Sequence, residues 1–354
     1  MSEKILIKGN EAIGEAAIRA GCRYYFGYPI TPQSELPEYM AKKLPAVGGV
    51  FLQAESEVAA INMVYGAAAA GARAMTSSSS PGFSLKQEGI SYIAAAELPC
   101  LLVNVQRGGP GLGTIQPGQA DYFQATKGGG HGDYRLLVLA PNSVQELFDL
   151  TVEGFDLADK YRMPVLILAD GALGQMMEAV SLNVKTAPPV AKPWAVTGRQ
   201  GRKETNVVNT LSFDKDASEQ TNRDLKQKYD LISRQETRCE EFFTDDADVV
   251  LVAYGITARI AKSAMEKARA QGLKVGLLRP VTLWPFPAAD LLRVAGTAKA
   301  FLVSELSTGQ MIEDVELAIR CRKPVYFYGR TGGNIPSTEE LYQQIVEIVN
   351  KGGN

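Results

Sequence analysis

Short runs rich in β-branched and aromatic residues alternate with stretches of helical spacing from residue 1 to about 185, and this pattern restricts the fold most strongly. "KILIKG" precedes "NEAIGEAAIRAG", where Asn10 is placed to cap a helix that ends at Gly21. "RYYFGYP" leads to a helix from about Pro32, "GGVFLQ" to the alanine-rich run 53–71, and "RAMTSSS" to a helix over "SLKQEGISYIAAAEL". "CLLVNVQ", "YRLLVLAP" and "MPVLILAD" are further strands. Strands joined through helices run parallel, in a sheet covered on both faces. The expected fold class is therefore α/β.

The pattern changes beyond residue 185. Residues 186–243 begin with the proline-interrupted "KTAPPVAKPW" and continue with a charged stretch of helical spacing, "SEQTNRDLKQKYDLISRQETRCEEFF". They read as a linker and a solvated helix crossing between domains. Residues 244–354 resume the alternation with "DVVLVAYG", "TARIAKSAMEKARAQG", "KVGLLRP", "KAFLVSEL" and "KPVYFYG". The chain of 354 residues thus divides into 1–185, a linking segment and 244–354.

Composition narrows the function. A net charge of -2 gives no basic footprint for nucleic acid or an anionic membrane surface. No apolar run is long enough to span a bilayer and no leader pattern opens the sequence, so the cytoplasm is the expected location. The four cysteines, Cys22, Cys100, Cys239 and Cys321, form no Cys-x-x-Cys pair that would build an iron–sulfur or zinc site. A single histidine, His131, argues against a Ser-His-Asp hydrolase and His-rich metal catalysis.

In a parallel sheet, ligands bind beyond the carboxyl ends of the strands. Four loops should open on that edge: "YPITPQSE" (28–35), "QAESE" (53–57), "SSSSPGFS" (77–84) and "QRGGPGLGTIQPGQADY" (106–122). They bring together Thr31, Glu57, a serine cluster and Arg107. Each has a structural alternative. Thr31 is placed to cap the next helix, the serines to make a turn and cap, and Glu57 to complement a helix dipole. Glu57 also falls in line with Ile61, Val64 and Ala68, so it should be partly buried, an environment that raises a carboxylate pKa. The planar fork of an arginine at a strand end suits a carboxylate of protein or ligand. The residues alone indicate an α/β enzyme acting on a small carboxylic acid.

In combination, "GYPITPQSE", "ESEVAAINMVYG", "TSSSSPG" and "VQRGGPGLGTIQPGQADYFQATKGGGHGDY" resemble the α subunit of 2-oxoacid:ferredoxin oxidoreductases. "LLRPVTLWPFP" and "VSELSTGQMIEDV" resemble the domain that follows in that family. The loop "GPGLGTIQPGQADYF" is most similar to the branched-chain, 2-oxoisovalerate type. The resemblance implies a pyrimidine-binding thiamine-enzyme domain over 1–185 and a transketolase C-terminal-like domain over 244–354. It implies that Glu57, and not Glu55, hydrogen-bonds the thiamine pyrimidine and drives the amino group to the imino form that removes the C2 proton. Thr31 matches a threonine that contacts substrate and pyrimidine. Pro29 and Ile30 match the turn beside the ring, and Arg107 the clamp on the substrate carboxylate. His131 matches a loop position and is given no role.

The Gly-Asp-Gly signature that holds diphosphate and Mg in thiamine enzymes is missing from the sequence. The resemblance therefore implies a thiamine diphosphate site shared with a β subunit that carries Mg. Iron–sulfur clusters belong to γ and ferredoxin-like partner subunits, and ferredoxin takes the electrons. The reaction implied is oxidative decarboxylation of a branched 2-oxoacid with coenzyme A, giving acyl-CoA and CO2. The same chemistry on 2-oxoglutarate, pyruvate or an aryl 2-oxoacid is the alternative. A lipoamide-dependent dehydrogenase would lean on histidines, and a non-catalytic scaffold has little reason to keep Thr31, Glu57 and Arg107 on one edge. Leu112 and Ile115, just beyond Arg107, are the apolar candidates for the variable end of the substrate, or else pack the loop on a partner.

Overall fold

A computed structural model describes residues 4–184 and 190–352. Its larger sheet has seven strands. From one edge they run Val50–Gln53, Tyr24–Gly27, Ala74–Ser78, Cys100–Gln106, Pro164–Asp170, Leu137–Leu139 and Thr282–Trp284. All neighbours are parallel except the last pair. Cys100–Gln106 and Pro164–Asp170 are buried along their whole length, as a parallel sheet clad on both faces requires. Helices Gly9–Arg19 and Val144–Tyr161 cover one face, and Glu57–Ala69 and Gln87–Ala95 cover the other.

The second sheet has five strands, in the order Val325–Gly329, Ala300–Glu305, Val249–Val252, Val275–Pro280 and Cys239–Phe242. Two strands depart from the simple alternation. Cys239–Phe242 follows the solvated helix Lys215–Gln235 and joins the second sheet antiparallel to Val275–Pro280. Thr282–Trp284 leaves the second sheet and pairs with Leu137–Leu139 of the first. "CEEF" carries no hydrophobic alternation, so only its partner strand makes it a strand. One apolar cluster runs from Ile61, Phe83 and Ile90 through to Val250, Leu278 and Phe301. The two sheets therefore share a core.

The joint between them is pinned by polar groups. Gln119 donates from Nε2 to the Tyr254 carbonyl at 2.9 Å and accepts from the Leu306 N–H at 3.0 Å. Asp170 accepts from the N–H groups of Ala172, Leu173 and Ile256, each at 3.0 Å. Burial nevertheless pushes its carboxyl up to about 6. Gly255, at φ +58°, fits beneath these groups, since a Cβ would lie 2.7 Å from Gln119 Nε2 and 2.8 Å from Asp170 Oδ2.

Two local expectations change at the N-terminus. Lys4–Lys8 pairs antiparallel with Met177–Ser181 as a separate ribbon and does not enter the large sheet. Ile5 and Leu6 are accordingly exposed. The following helix starts at Gly9 with Lys8 at the cap, so Asn10 lies inside its first turn. Its side chain instead donates to the Pro32 carbonyl and to Glu35 Oε2, each at 2.8 Å. Asn10 thus fixes the loop that carries Thr31.

Candidate active site

The strands ending at Gly27, Gln53, Ser78 and Gln106 are parallel neighbours, so their carboxyl-terminal loops emerge on one edge. At the second of them the two acids separate. Glu55 is exposed, whereas Glu57 is only 6% exposed and is the first residue of the helix Glu57–Ala69. Ser56 caps that helix by accepting from the Ala59 N–H at 3.1 Å. The cap leaves Glu57 free of that duty, although its place in the first turn also suits the helix dipole. Its carboxylate accepts no hydrogen bond among the described residues.

Gly82 makes room for that carboxylate. A Cβ there would lie 2.4 Å from Glu57 Oε1 and 2.3 Å from Ser78 Oγ. Ser78 and Ser79 are fully buried and their hydroxyls have no partner. Ser77, on the opposite side of the strand, shares a hydrogen bond with the Tyr25 hydroxyl at 2.7 Å and donates to Gln33 Oε1. The serine run is therefore more than a turn and cap, because it ties the Thr31 loop to the next strand.

Thr31 is exposed, with Pro29 exposed and Ile30 half-buried beside it. The helix that follows starts at Glu35, so Thr31 does not cap it. Arg107 is only 8% exposed. Its Nη1 donates to the Thr31 carbonyl at 3.0 Å and its Nη2 to the Leu112 carbonyl at 2.9 Å. Its Nε has no partner, and no described carboxylate pairs with it. A buried guanidinium held by two neutral carbonyls keeps an uncompensated charge.

The loop beyond Arg107 folds back tightly. Gly108 N–H donates to the Gln116 carbonyl at 2.9 Å, and Thr114 N–H to the Gly108 carbonyl at 2.8 Å. Two cavities flank it. One, of about 440 Å³, lies between the halves of the molecule and is lined by Ser80, Asp121, Thr308 and Gln310 with the glycines of the loop. The other, of about 530 Å³, is lined by Thr31, Glu35, Ile115, Gln175 and Ile335. Ile115 thus stands next to Thr31, while Leu112 is 82% exposed and borders neither cavity. Glu57 borders neither of them. Its helix turns Val58 and Met63 outward, so this end of the site is an open apolar surface on the single chain.

Asp121 lines the first of these cavities and is not singled out by the sequence motifs. It accepts from Ser80 Oγ at 2.6 Å and Asn104 Nδ2 at 2.9 Å, and burial raises its pKa against these two bonds. Its clue in the sequence is its position in "GQADY", at the close of the glycine loop and the start of the short helix Tyr122–Thr126.

Residues 15–241 match the family described as pyruvate flavodoxin/ferredoxin oxidoreductase, thiamine diphosphate-binding. Residues 247–341 match core domain II of pyruvate:ferredoxin oxidoreductase. The chain belongs to the 2-oxoacid:ferredoxin oxidoreductase family, as an α-type subunit. It is 52% identical over 352 residues to the ketoisovalerate oxidoreductase subunit VorB of Methanothermobacter marburgensis, covering 99% of each chain. It is 38% identical to the 2-oxoglutarate synthase subunit KorA of Methanothermobacter thermautotrophicus, covering 98% of this chain and all of the other. The structure is similar to the 2-oxoglutarate:ferredoxin oxidoreductase of Magnetococcus marinus with 2-oxoglutarate, coenzyme A and succinyl-CoA bound (TM-score 0.87, 29% identity). That likeness covers 98% of this chain and 65% of the other.

The family uses thiamine diphosphate, and the chain's residues fit one end of it. A buried acid without a hydrogen-bond donor, beside an unpartnered Ser78 hydroxyl, suits a nitrogen heterocycle that shares protons. Among the described residues no group of possible metal ligands lies at this edge. The cluster of possible metal ligands among the described residues is Cys239, Glu241 and Asp290, on the edge strand of the second sheet and beyond it. Arg293 pairs with both of its carboxylates.

Proposed function

We propose that the chain supplies the pyrimidine-side half of a thiamine diphosphate site in a branched-chain 2-oxoacid:ferredoxin oxidoreductase. When bound, the cofactor supplies the carbon nucleophile and electron sink that decarboxylation of a 2-oxoacid needs. Glu57 would share a proton with the pyrimidine, and the backbone at Pro29 and Ile30 would flank the ring. The overall reaction takes a 2-oxoacid and coenzyme A to acyl-CoA and CO2, with two electrons passed to ferredoxin.

The observation that carries the proposal is the Arg107 guanidinium, buried with Nε free and with no described carboxylate paired to it. A substrate carboxylate would satisfy it. The Thr31 hydroxyl, on the residue whose carbonyl already receives Nη1, would meet the same end of the molecule. Holding that end fixed sets the breaking bond, as proximity catalysis requires. The branched-chain choice is supported by the higher identity to the VorB subunit than to the KorA subunit, and by Ile115 at the Thr31 cavity. An apolar wall there gains about 0.8 kcal/mol per buried methylene. A second carboxylate would lose solvation and meet the like charge of Glu35 in the same cavity. The 2-oxoglutarate bound in the Magnetococcus enzyme makes that acid the competing substrate.

A β subunit with the diphosphate and Mg site would close the open surface beside Glu57. The γ and ferredoxin-like subunits would hold the iron–sulfur clusters. Arg107→Lys tests the clamp, because lysine keeps the charge and loses the fork. In the complex with partner subunits we expect a higher KM for 2-oxoacids and a smaller loss of kcat. An unchanged KM for every 2-oxoacid would make Arg107 a purely structural residue that ties the Thr31 and Leu112 loops.

A further inference from the structure

Lys86 is fully buried, yet the chemistry described above gives it no task. It follows the short helix Ser80–Ser84, one turn beyond Gly82. Its Nζ donates to Thr76 Oγ1 at 3.1 Å, and no described carboxylate forms an ion pair with it. An ammonium satisfied by a single hydroxyl within an apolar cluster is costly. Packing alone would be served by methionine at no such cost.

Its surroundings lead to Glu57. Thr76 and Ser78 alternate on the same face of the strand Ala74–Ser78, the face that packs on Ile61 and Phe83. Ser78 Oγ and Glu57 Oε1 both lie within 2.4 Å of the point where a Cβ on Gly82 would sit. Thr76, Ser78, Gly82, Lys86 and Glu57 therefore form a polar seam through an otherwise apolar cluster. Burial pushes the Lys86 pKa down to about 8, and the charge that opposes this is that of Glu57. The other acids nearby are engaged elsewhere. Asp121 is held by Ser80 and Asn104, and Glu88 accepts from the exposed Tyr92 hydroxyl at 2.6 Å.

We propose that Lys86 is a positioning residue for Glu57: its ammonium, tethered to Thr76 in the core, is the fixed positive charge that holds the carboxylate ionised and oriented toward the pyrimidine. The inference rests on the reading of Glu57 as the proton-sharing acid. Glu57 is buried and receives no hydrogen bond from described residues, and Lys86 is a cationic group on the same polar seam. Lysine suits the role better than arginine, because beside a single hydroxyl an ammonium leaves two N–H donors unpaired where a guanidinium would leave four.

The test is an infrared difference titration of the full chain without cofactor, with the Glu57→Gln chain subtracted so that the Glu57 carboxyl band is read directly. Lys86→Met should raise the pH at which Glu57 ionises by about one unit or more, the effect of removing a neighbouring opposite charge. Thr76→Val, which frees the ammonium without deleting it, should move it in the same direction by less. It carries the test if the Lys86 variant fails to fold. In the complex, the acid limb of the kcat/KM profile should move with the band. Glu57 titrating at the same pH in parent and variants would overturn the proposal. The infrared result needs no turnover, so absence of 2-oxoacid activity would count against the proposed function and leave the Lys86 result standing on its own.

Discussion

Glu57→Gln is expected to cut the turnover of the assembled enzyme by about 10²–10⁴-fold, the span of general acid–base contributions. Glutamine has nearly the same shape, so the helix Glu57–Ala69 and its Ser56 cap should be kept, while loss of the charge that opposes the burial of Lys86 should lower the melting temperature. Glu55→Gln should be mild, because Glu55 is exposed and stands outside the helix. Steady-state rates of the two variants in the complex check this. The opposite ranking would mean that the register of the loop has been misassigned.

Gly82→Ala should be the next most damaging change. Its methyl group would arrive 2.4 Å from Glu57 Oε1 and 2.3 Å from Ser78 Oγ, and one of them must move. A displacement near 1 Å at a reacting group costs up to about 10²-fold in rate, and overpacking of this kind costs about 1–3 kcal/mol of stability. Gly154→Ala is the control. Its methyl group would lie 2.7 Å from Leu101 Cδ1, on the other face of the sheet. Gly154→Ala should lower the melting temperature while leaving turnover intact. Equal losses of rate in the two variants would show that general overpacking, and not the place of Glu57, sets the effect.

The edge that gathers Thr31, Glu57, the serines and Arg107 was legible because each loop follows a strand whose own residues announce it, and parallel order then fixes one edge for all. Pairings between distant segments were not. Nothing local in "CEEF" or "TLW" says which sheet these strands join, since both depend on partners far away in sequence. Asn10 had the composition of a cap and serves as a tie to Pro32, which only the folded loop reveals. Lys86 and Asp121 escaped notice because charged residues are normally solvated, and composition cannot tell a buried one from the rest. Leu112 and Ile115 are three residues apart in the motif, yet with the tight turn at Gly113 (φ +55°) between them only Ile115 reaches the Thr31 cavity.

The central claim, a branched 2-oxoacid oxidised at a site that this chain completes with its partners, is tested most directly by one assay. The complex with its partner subunits is given 2-oxoisovalerate, 2-oxoglutarate, pyruvate and an aryl 2-oxoacid in turn, with coenzyme A and a viologen as electron acceptor. The account predicts viologen reduction that depends on coenzyme A, with kcat/KM for 2-oxoisovalerate at least about tenfold above that for 2-oxoglutarate, a difference of about 1.4 kcal/mol. Equal or faster turnover of 2-oxoglutarate would contradict the branched-chain assignment, and no reduction with any 2-oxoacid would contradict the proposed chemistry itself.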